Sequence, residues 1–344
     1  MTMKEIVAER GASSMTRVAG NVIALGNFDG VHRGHQALLQ AAYDLAIDMR
    51  LEYYVACFSP HPKHILQPSE GFFELTSLPQ KEKHFRQLGA AGTFPLTFDA
   101  SVSRMSPEEF CGWLWATTKP RAVVVGCDFH FGNRRAGGPS YLRDYAQRAG
   151  TLVKLIDPSR DSEGEAITSE QVRNALSLGD VDHASELLGY RYCVEAKVVH
   201  GAKLGRTLGF PTANMELAGG SKLCAGIYAV KFRDGAGQEH DGVASFGRRP
   251  TVTADGLPLL ETYVFGYSGD LYGQTCTVTF VKYLRPELKF DGLPALVAQM
   301  KRDEADARVA LAKATLNVSG ERCAAHPLGA SGAGISYLAS GEAR

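Results

Sequence analysis

The first half of the chain alternates short apolar runs with amphipathic stretches. Val22-Ile23-Ala24-Leu25, Tyr53 to Phe58, Ala122 to Val125 and Leu152 to Ile156 have the length and composition of strands, with a weaker candidate at Thr93 to Leu96. Between them, His35 to Asp48 reads as helix. Ser106-Pro107-Glu108-Glu109 combines a capping box with proline at the first helical position, which marks a second helix start. Repeated strand and helix predict a parallel sheet covered on both faces, with ligands at the carboxyl ends of the strands.

After Tyr190 the period changes. Tyr192, Val194, Ala196 and Val198 alternate with Cys193, Glu195 and Lys197, the pattern of a half-buried strand. Similar segments recur at 226–232, 242–246, 260–267 and 275–283. Turn-forming pieces such as Arg233-Asp234-Gly235, Ala254-Asp255-Gly256 and Ser268-Gly269-Asp270 separate them. Many short strands with turns between them predict a small antiparallel barrel. A helix is expected from Leu293 to Leu311, with Leu296, Met300, Ala307 and Leu311 on one face. The expected division is residues 1–184, residues 185–318 and a Gly-rich flexible tail at 319–344.

A length of 344 residues suits two domains, each with its own core. The 37 basic residues equal the 37 acidic ones, so no global field favours a polyanion and nucleic acid is not expected as a partner. Seven scattered cysteines without a CxxC pair fit reduced thiols in a cytoplasm better than disulfides or a thiolate metal site. The N-terminal stretch, with Lys4, Glu5 and Glu9, does not read as a signal peptide. No apolar run is long enough to cross a bilayer, so no membrane partner is expected.

Two strings carry candidate chemistry. The run Gly26-Asn27-Phe28-Asp29-Gly30-Val31-His32-Arg33-Gly34-His35 leads from a strand into a helix. Its glycines permit a tight turn, amides at the helix start can face phosphate oxygens, and His32 and His35 can both reach one phosphate chain. An ordinary turn decorated by two histidines is the alternative. The other string places Gly201, Gly205 and Gly209 around Lys203 and Arg206, followed by Phe210-Pro211-Thr212-Ala213-Asn214. Thr212 and Asn214 offer compact oxygen ligands for Mg²⁺ or donors for phosphate. It is not a Walker A loop, and a basic turn at the barrel edge is its alternative. His61 and His64 are a possible metal pair, but Pro62 favours a rigid pocket edge.

Taken whole, the strings resemble the bacterial bifunctional riboflavin kinase/FAD synthetase (FMN adenylyltransferase) family. The N-terminal string is similar to its HxGH-type opening motif. Cys57 to Pro62, Val125 to Gly132, Arg134 to Gly137 and Ile167 to Arg173 follow in family order. The string ending at Asn214 resembles the riboflavin kinase signature, and Gly226 to Ala229, Phe246 to Thr251, Glu261-Thr262 and Leu284 to Phe290 come after it. The resemblance covers about residues 20 to 310. It implies a Rossmann-like nucleotidylyltransferase module followed by a six-stranded antiparallel barrel with a C-terminal helix. The implied reactions are ATP-dependent phosphorylation of riboflavin to FMN, and adenylylation of FMN to FAD with release of pyrophosphate.

Carried over residue by residue, the resemblance implies that His32 and His35 contact ATP phosphates. Asn27 and Asp29 organise the site together with Gly26, Phe28 and Gly34, Asp128 and Phe129 line a nucleotide or flavin pocket, and Arg173 assists with phosphate. In the kinase module, Thr212 and Asn214 bind Mg²⁺-ATP, Glu261 receives the hydroxyl proton, and Gly205, Arg206, Pro211 and Arg285 contribute to binding. An ion pair of Arg285 with Glu287 is also expected. Phe210, Tyr228, Phe246, Tyr263, Phe265 and Tyr272 are candidates to stack on isoalloxazine, although strand-spaced aromatics are more often core.

Departures from the family pattern are Cys57 for Thr, His130 for Arg, Asn133 for Lys and Glu170 for Thr. In the kinase module they are Tyr263 for His, Gly266 for Asp and Ser245 for Asn. They keep two alternatives open: a monofunctional riboflavin kinase with a decayed adenylyltransferase module, and a non-catalytic flavin-binding protein. A weak or transient homo-oligomer is compatible with the sequence.

Overall fold

A computed structural model describes residues 20–67, 72–201, 208–217, 221–248 and 258–320. The apolar runs of the first half form β1 (Asn21–Gly26), β2 (Tyr53–Ser59), β3 (Gly92–Thr97), β4 (Pro120–Gly126) and β5 (Leu152–Ile156). They make a five-stranded parallel sheet in the order β3-β2-β1-β4-β5. Val22 to Leu25 are buried on both faces, as an interior parallel strand requires. The helices are α1 (Arg33–Met49), α2 (Pro62–Leu66), α3 (Leu78–Gln87), α4 (Pro107–Thr118) and α5 (Pro139–Arg148). The capping box expected at Ser106 and Glu109 is formed and opens α4.

Two further helices, α6 (Ser169–Ser177) and α7 (Val181–Leu188), lead into the second half. There, β6 (Cys193–Val199), β7 (Thr212–Glu216), β8 (Gly226–Arg233), β9 (Glu239–Arg248), β10 (Pro258–Val264) and β11 (Thr275–Arg285) close a barrel in the order β10-β7-β6-β11-β8-β9, every pairing antiparallel. The strand β7 was not expected from the sequence. The C-terminal helix α8 (Leu293–Gly320) begins where expected and continues beyond Leu311. It packs on the outer barrel wall, where Ala307 and Leu311 meet Ala229, Phe265 and Val281. The rest of the 319–344 segment lies outside the described residues.

The barrel interior continues into the first half. Val172, Leu176, Val181, Leu187 and Leu188 of α6 and α7 share one buried cluster with Tyr228, Phe232, Leu260 and Phe280 of the barrel. The amide of Cys224 donates to the Leu176 carbonyl at 2.9 Å, and Lys282 pairs with Asp182 at 2.6 Å. Separating the halves would expose this apolar surface, at about 25 cal/mol per Å².

Candidate active sites

The N-terminal string sits at the carboxyl end of β1, beside the point where the order turns from β2 to β4, the crevice position for ligands in an open α/β sheet. His32 is the N-cap of α1, and its Nδ1 accepts the His35 amide at 3.3 Å. With Nδ1 accepting, the neutral ring carries its proton on Nε2. The rings of His32 and His35 stack with centroids 3.7 Å apart. Burial, and then Arg173, lower the His32 pKa to about 4. Burial, helped by His32 and Lys81, holds His35 well below the ordinary histidine value. Both rings are therefore neutral donors at pH 7 rather than fixed cations. A Cβ on Gly34 would meet the His32 ring at 3.2 Å, so glycine there leaves room for the stack.

Asp29 is 1% exposed and faces the protein. It accepts the amides of Leu75 and Thr76 at 2.9 and 3.2 Å and pairs with Arg173. Burial raises its pKa above the ordinary value, opposed by Lys81 and Arg173. Arg173 also donates from Nε to the Phe73 carbonyl at 2.7 Å and from Nη1 to Glu170 at 3.1 Å. The segment from Phe73 to Thr76, which carries no motif, thus braces the loop. No local spacing announces it, because its partners are distant in the chain.

Two cavities open here. One of about 230 Å³ lies among His32, Gly34, Asp157, Ser159, Ile167 and Thr168. The other, of about 720 Å³, is walled by Phe58, Phe98, Phe110, Phe129 and Phe131, with Asn27, Phe28, Arg134, Arg135 and Arg173 at its polar margin. His35, Gly126, Asp128 and Ser169 border both.

The barrel site is on the outer wall under α8. Register places Glu261 opposite Asn214 on one side and Ser245 on the other, and Tyr263 opposite Thr212. These side chains line a cavity of about 570 Å³ with Phe210, Arg285, Leu296 and Met300. Asn214 is 4% exposed; its Nδ2 donates to the Thr212 carbonyl at 3.1 Å, while its buried Oδ1 has no partner among the described residues. A Cβ on Gly201 would come within 2.5 Å of the Asn214 side chain, so this member of the glycine string leaves that amide its room. Gly205 and Arg206 lie outside the described residues. Pro211 is exposed just before β7.

Comparison with known proteins decides the family. The FAD synthetase family model matches residues 14–171 and the riboflavin kinase model residues 188–311. A bifunctional riboflavin kinase/FMN adenylyltransferase of Listeria monocytogenes is 35% identical over 294 residues, spanning 85% of this chain and 93% of the relative. One from Pseudomonas fluorescens is 36% identical over 296 residues, 84% of this chain and 92% of the relative.

The chain belongs to the bifunctional riboflavin kinase/FMN adenylyltransferase family.

A solved structure from Streptococcus pneumoniae, described as a macrolide-efflux protein, is 31% identical with a TM-score of 0.75, covering 84% of this chain and 94% of that one. This chain is an enzyme with both activities of the family, and ATP, riboflavin, FMN and FAD are its substrates or products. Mg²⁺ is typical of such enzymes. Among the described residues, no helix is long and apolar enough to cross a membrane, and no three His, Cys, Asp or Glu cluster as a metal site.

Several expectations about this family member need correction. Arg285 pairs with Asp303 of α8 through two bonds of 2.7 and 2.6 Å, not with Glu287. A bidentate partner on a packed helix fixes the guanidinium more firmly than a near neighbour on a turn. Tyr228 and Phe246 point into the barrel core, Phe265 packs against α8, and Tyr272 packs on the His200 ring, leaving Phe210 and Tyr263 on the cavity. The pocket-edge reading of His61 needs no correction: it caps α2 and lines the larger cavity with Pro62, while His64 pairs with Glu74 at 3.2 Å.

Proposed function

We propose that the barrel cavity phosphorylates riboflavin and that the two joined cavities at the end of β1 adenylylate FMN. In the first reaction Glu261 orients the ribityl 5′-hydroxyl and takes its proton as oxygen attacks the γ-phosphorus of ATP, releasing ADP. The observation that carries the assignment is Asn214 Oδ1, a buried oxygen with no hydrogen-bond partner among the described residues, on a side chain whose Nδ2 lies 3.5 Å from the Thr212 hydroxyl. That donor set suits a hard cation. Thr212 and Asn214 would hold Mg²⁺, which supplies charge neutralisation to the nucleotide phosphates. Arg285, fixed by Asp303, would bind at the flavin side with Phe210 and Tyr263.

For the adenylylation, the aromatic-walled cavity suits the flavin ring and the smaller one the nucleotide. The α-phosphorus would then sit at their junction, beside His35 and Asp128. An FMN phosphate oxygen attacks it and pyrophosphate leaves. The neutral N–H groups of His32 and His35 donate to oxygens that gain charge, with Gly26, Asn27, Phe28 and Gly34 shaping the loop. Arg173 would act mainly by fixing Asp29, since three of its nitrogens already bind protein. We also propose a cytoplasmic location, supported by the free thiols of the six cysteines among the described residues. No nucleic-acid partner is proposed for a chain of net charge zero, and any self-association is taken to be weak.

The test is a chromatographic time course with Mg²⁺-ATP, run separately on riboflavin and on FMN. Wild type should form FMN from the first and FAD from the other. His35→Ala should lose FAD formation and keep riboflavin phosphorylation; Glu261→Ala should do the reverse. Loss of both activities in each variant, with folding intact, would refute separate sites.

A further inference from the structure

The loop between β1 and α1 is strained. Phe28 and Val31 have φ of 51° and 36°, a region that side-chain-bearing residues avoid, and a β-branched residue most of all. Such a loop persists only if its surroundings over-determine it. The Gly30 amide donates to Thr76 Oγ1 at 2.9 Å, which fixes one side. The other side is held from beyond the first domain. The Tyr190 hydroxyl donates to the Gly30 carbonyl at 2.7 Å, and Gln36 Nε2 donates to both the Val31 carbonyl at 2.8 Å and the Leu188 carbonyl at 2.7 Å.

Leu188 and Tyr190 fall inside the riboflavin kinase match, not the FAD synthetase match. Gly189 between them caps α7 with φ of 76°, which aims Tyr190 back toward the loop. Tyr192, two residues on, stacks on Phe280 inside the barrel, so the tyrosine is anchored by the kinase fold. Its ring rests on His84, centroids 4.4 Å apart, and burial raises its pKa well above the ordinary tyrosine value, keeping the hydroxyl a donor.

We propose that Tyr190 is a positioning residue for adenylyl transfer, by which the kinase fold holds the strained Gly30–Val31 loop in its working shape. The inference rests on assigning that loop to FMN adenylylation.

The test compares wild type, Tyr190→Phe and His35→Ala in steady-state assays of each reaction, with ATP and flavin varied separately and unfolding midpoints recorded. Losing one positioning hydrogen bond should lower kcat/KM for ATP in FAD formation about 3- to 10-fold. Riboflavin phosphorylation should stay within about two-fold, a split that a general loss of structure would not produce. Unchanged FAD formation in Tyr190→Phe, or parallel loss of both activities with a lowered midpoint, overturns the proposal. If His35→Ala also keeps FAD formation, the assignment of the loop itself is wrong. If His35→Ala loses it while Tyr190→Phe does not, only the role of Tyr190 fails. Should Tyr190→Phe not fold, Gln36→Met cuts the parallel link that joins the Val31 carbonyl to Leu188 of the kinase match, and the hold of that fold on the loop is read by the same criteria.

Discussion

Arg173→Met is the most searching test of how the first site is held. Arg173 is 7% exposed and Asp29 1%, so the substitution leaves a carboxylate buried with two amides and no directly paired cation. The Phe73 carbonyl also loses its 2.7 Å donor, and the Phe72 ring loses a guanidinium 4.4 Å from its centroid. Removing one partner of a buried pair costs about 3–5 kcal/mol, because the other charge stays desolvated. For a unit of this size that lowers the melting midpoint by roughly 6–20 °C. Protonating Asp29 relieves part of the penalty. Burial already raises its pKa against Arg173, so the loss should be smaller at pH 5 than at pH 8.

Trp113 and Trp115, the two tryptophans of the chain, both lie on α4, so their fluorescence in a urea titration reports the first domain. Asp29→Asn combined with Arg173→Met should cost less than the sum of the single changes, by about 1–3 kcal/mol. A loss below about 1 kcal/mol for Arg173→Met, the range of an exposed pair, would refute the reasoning.

Two further outcomes follow from single groups. His32 has its pKa held at about 4 against 6.5 unfolded, so it folds neutral, and its contribution is complete above 6.5 and lost as pH falls through 4. Between pH 7.5 and 5 that removes about 2 kcal/mol; His32→Asn, which can still cap α1, should lessen the acid destabilisation by this amount in paired melts, and equal losses in both proteins would count against it. Asn214→Leu keeps the size of a buried strand residue but removes the oxygen that has no partner among the described residues. Riboflavin phosphorylation should fall at least about 100-fold with FMN adenylylation within about two-fold, and a kinase rate near wild type would remove Asn214 from the metal site.

Sequence carried most of the fold because each half has its own period. The runs at β1, β2, β4 and β5 sit within a residue or two of the strands. The strand β7 escaped because it is five residues long, follows Pro211 and buries a polar Asn214 beside Ala213 and Met215. Among site residues, His32 and His35 were legible because their relation is local, one turn of a helix. Glu261 and Asn214 face each other by strand register, 47 positions apart, and only the family pattern linked them. The tie between Asp29 and Arg173 spans 144 positions, and that between Arg285 and Asp303 joins a strand to a helix. Such contacts leave no period or spacing in the chain.

Of the departures from the family pattern, Glu170 bears most directly on whether the adenylyltransferase domain has decayed. A carboxylate aimed at ATP phosphates would repel them. In the fold, however, Glu170 accepts from Arg173 at 3.1 Å and lies 3.9 Å from Lys63 Nζ, and its side chain is 61% exposed. Two cations balance it, and solvent and salt screen what remains. It also helps fix the guanidinium that pairs with Asp29, so the carboxylate braces the loop rather than facing the cavity unpaired. His130 in place of arginine turns its Nδ1 to the Asp128 carbonyl at 2.7 Å, and with Asn133 in place of lysine the same cavity has lost two cationic positions. Arg134 and Arg135 line that cavity, each with φ above 50°. They keep positive charge at the margin of that cavity, beside the two substituted positions.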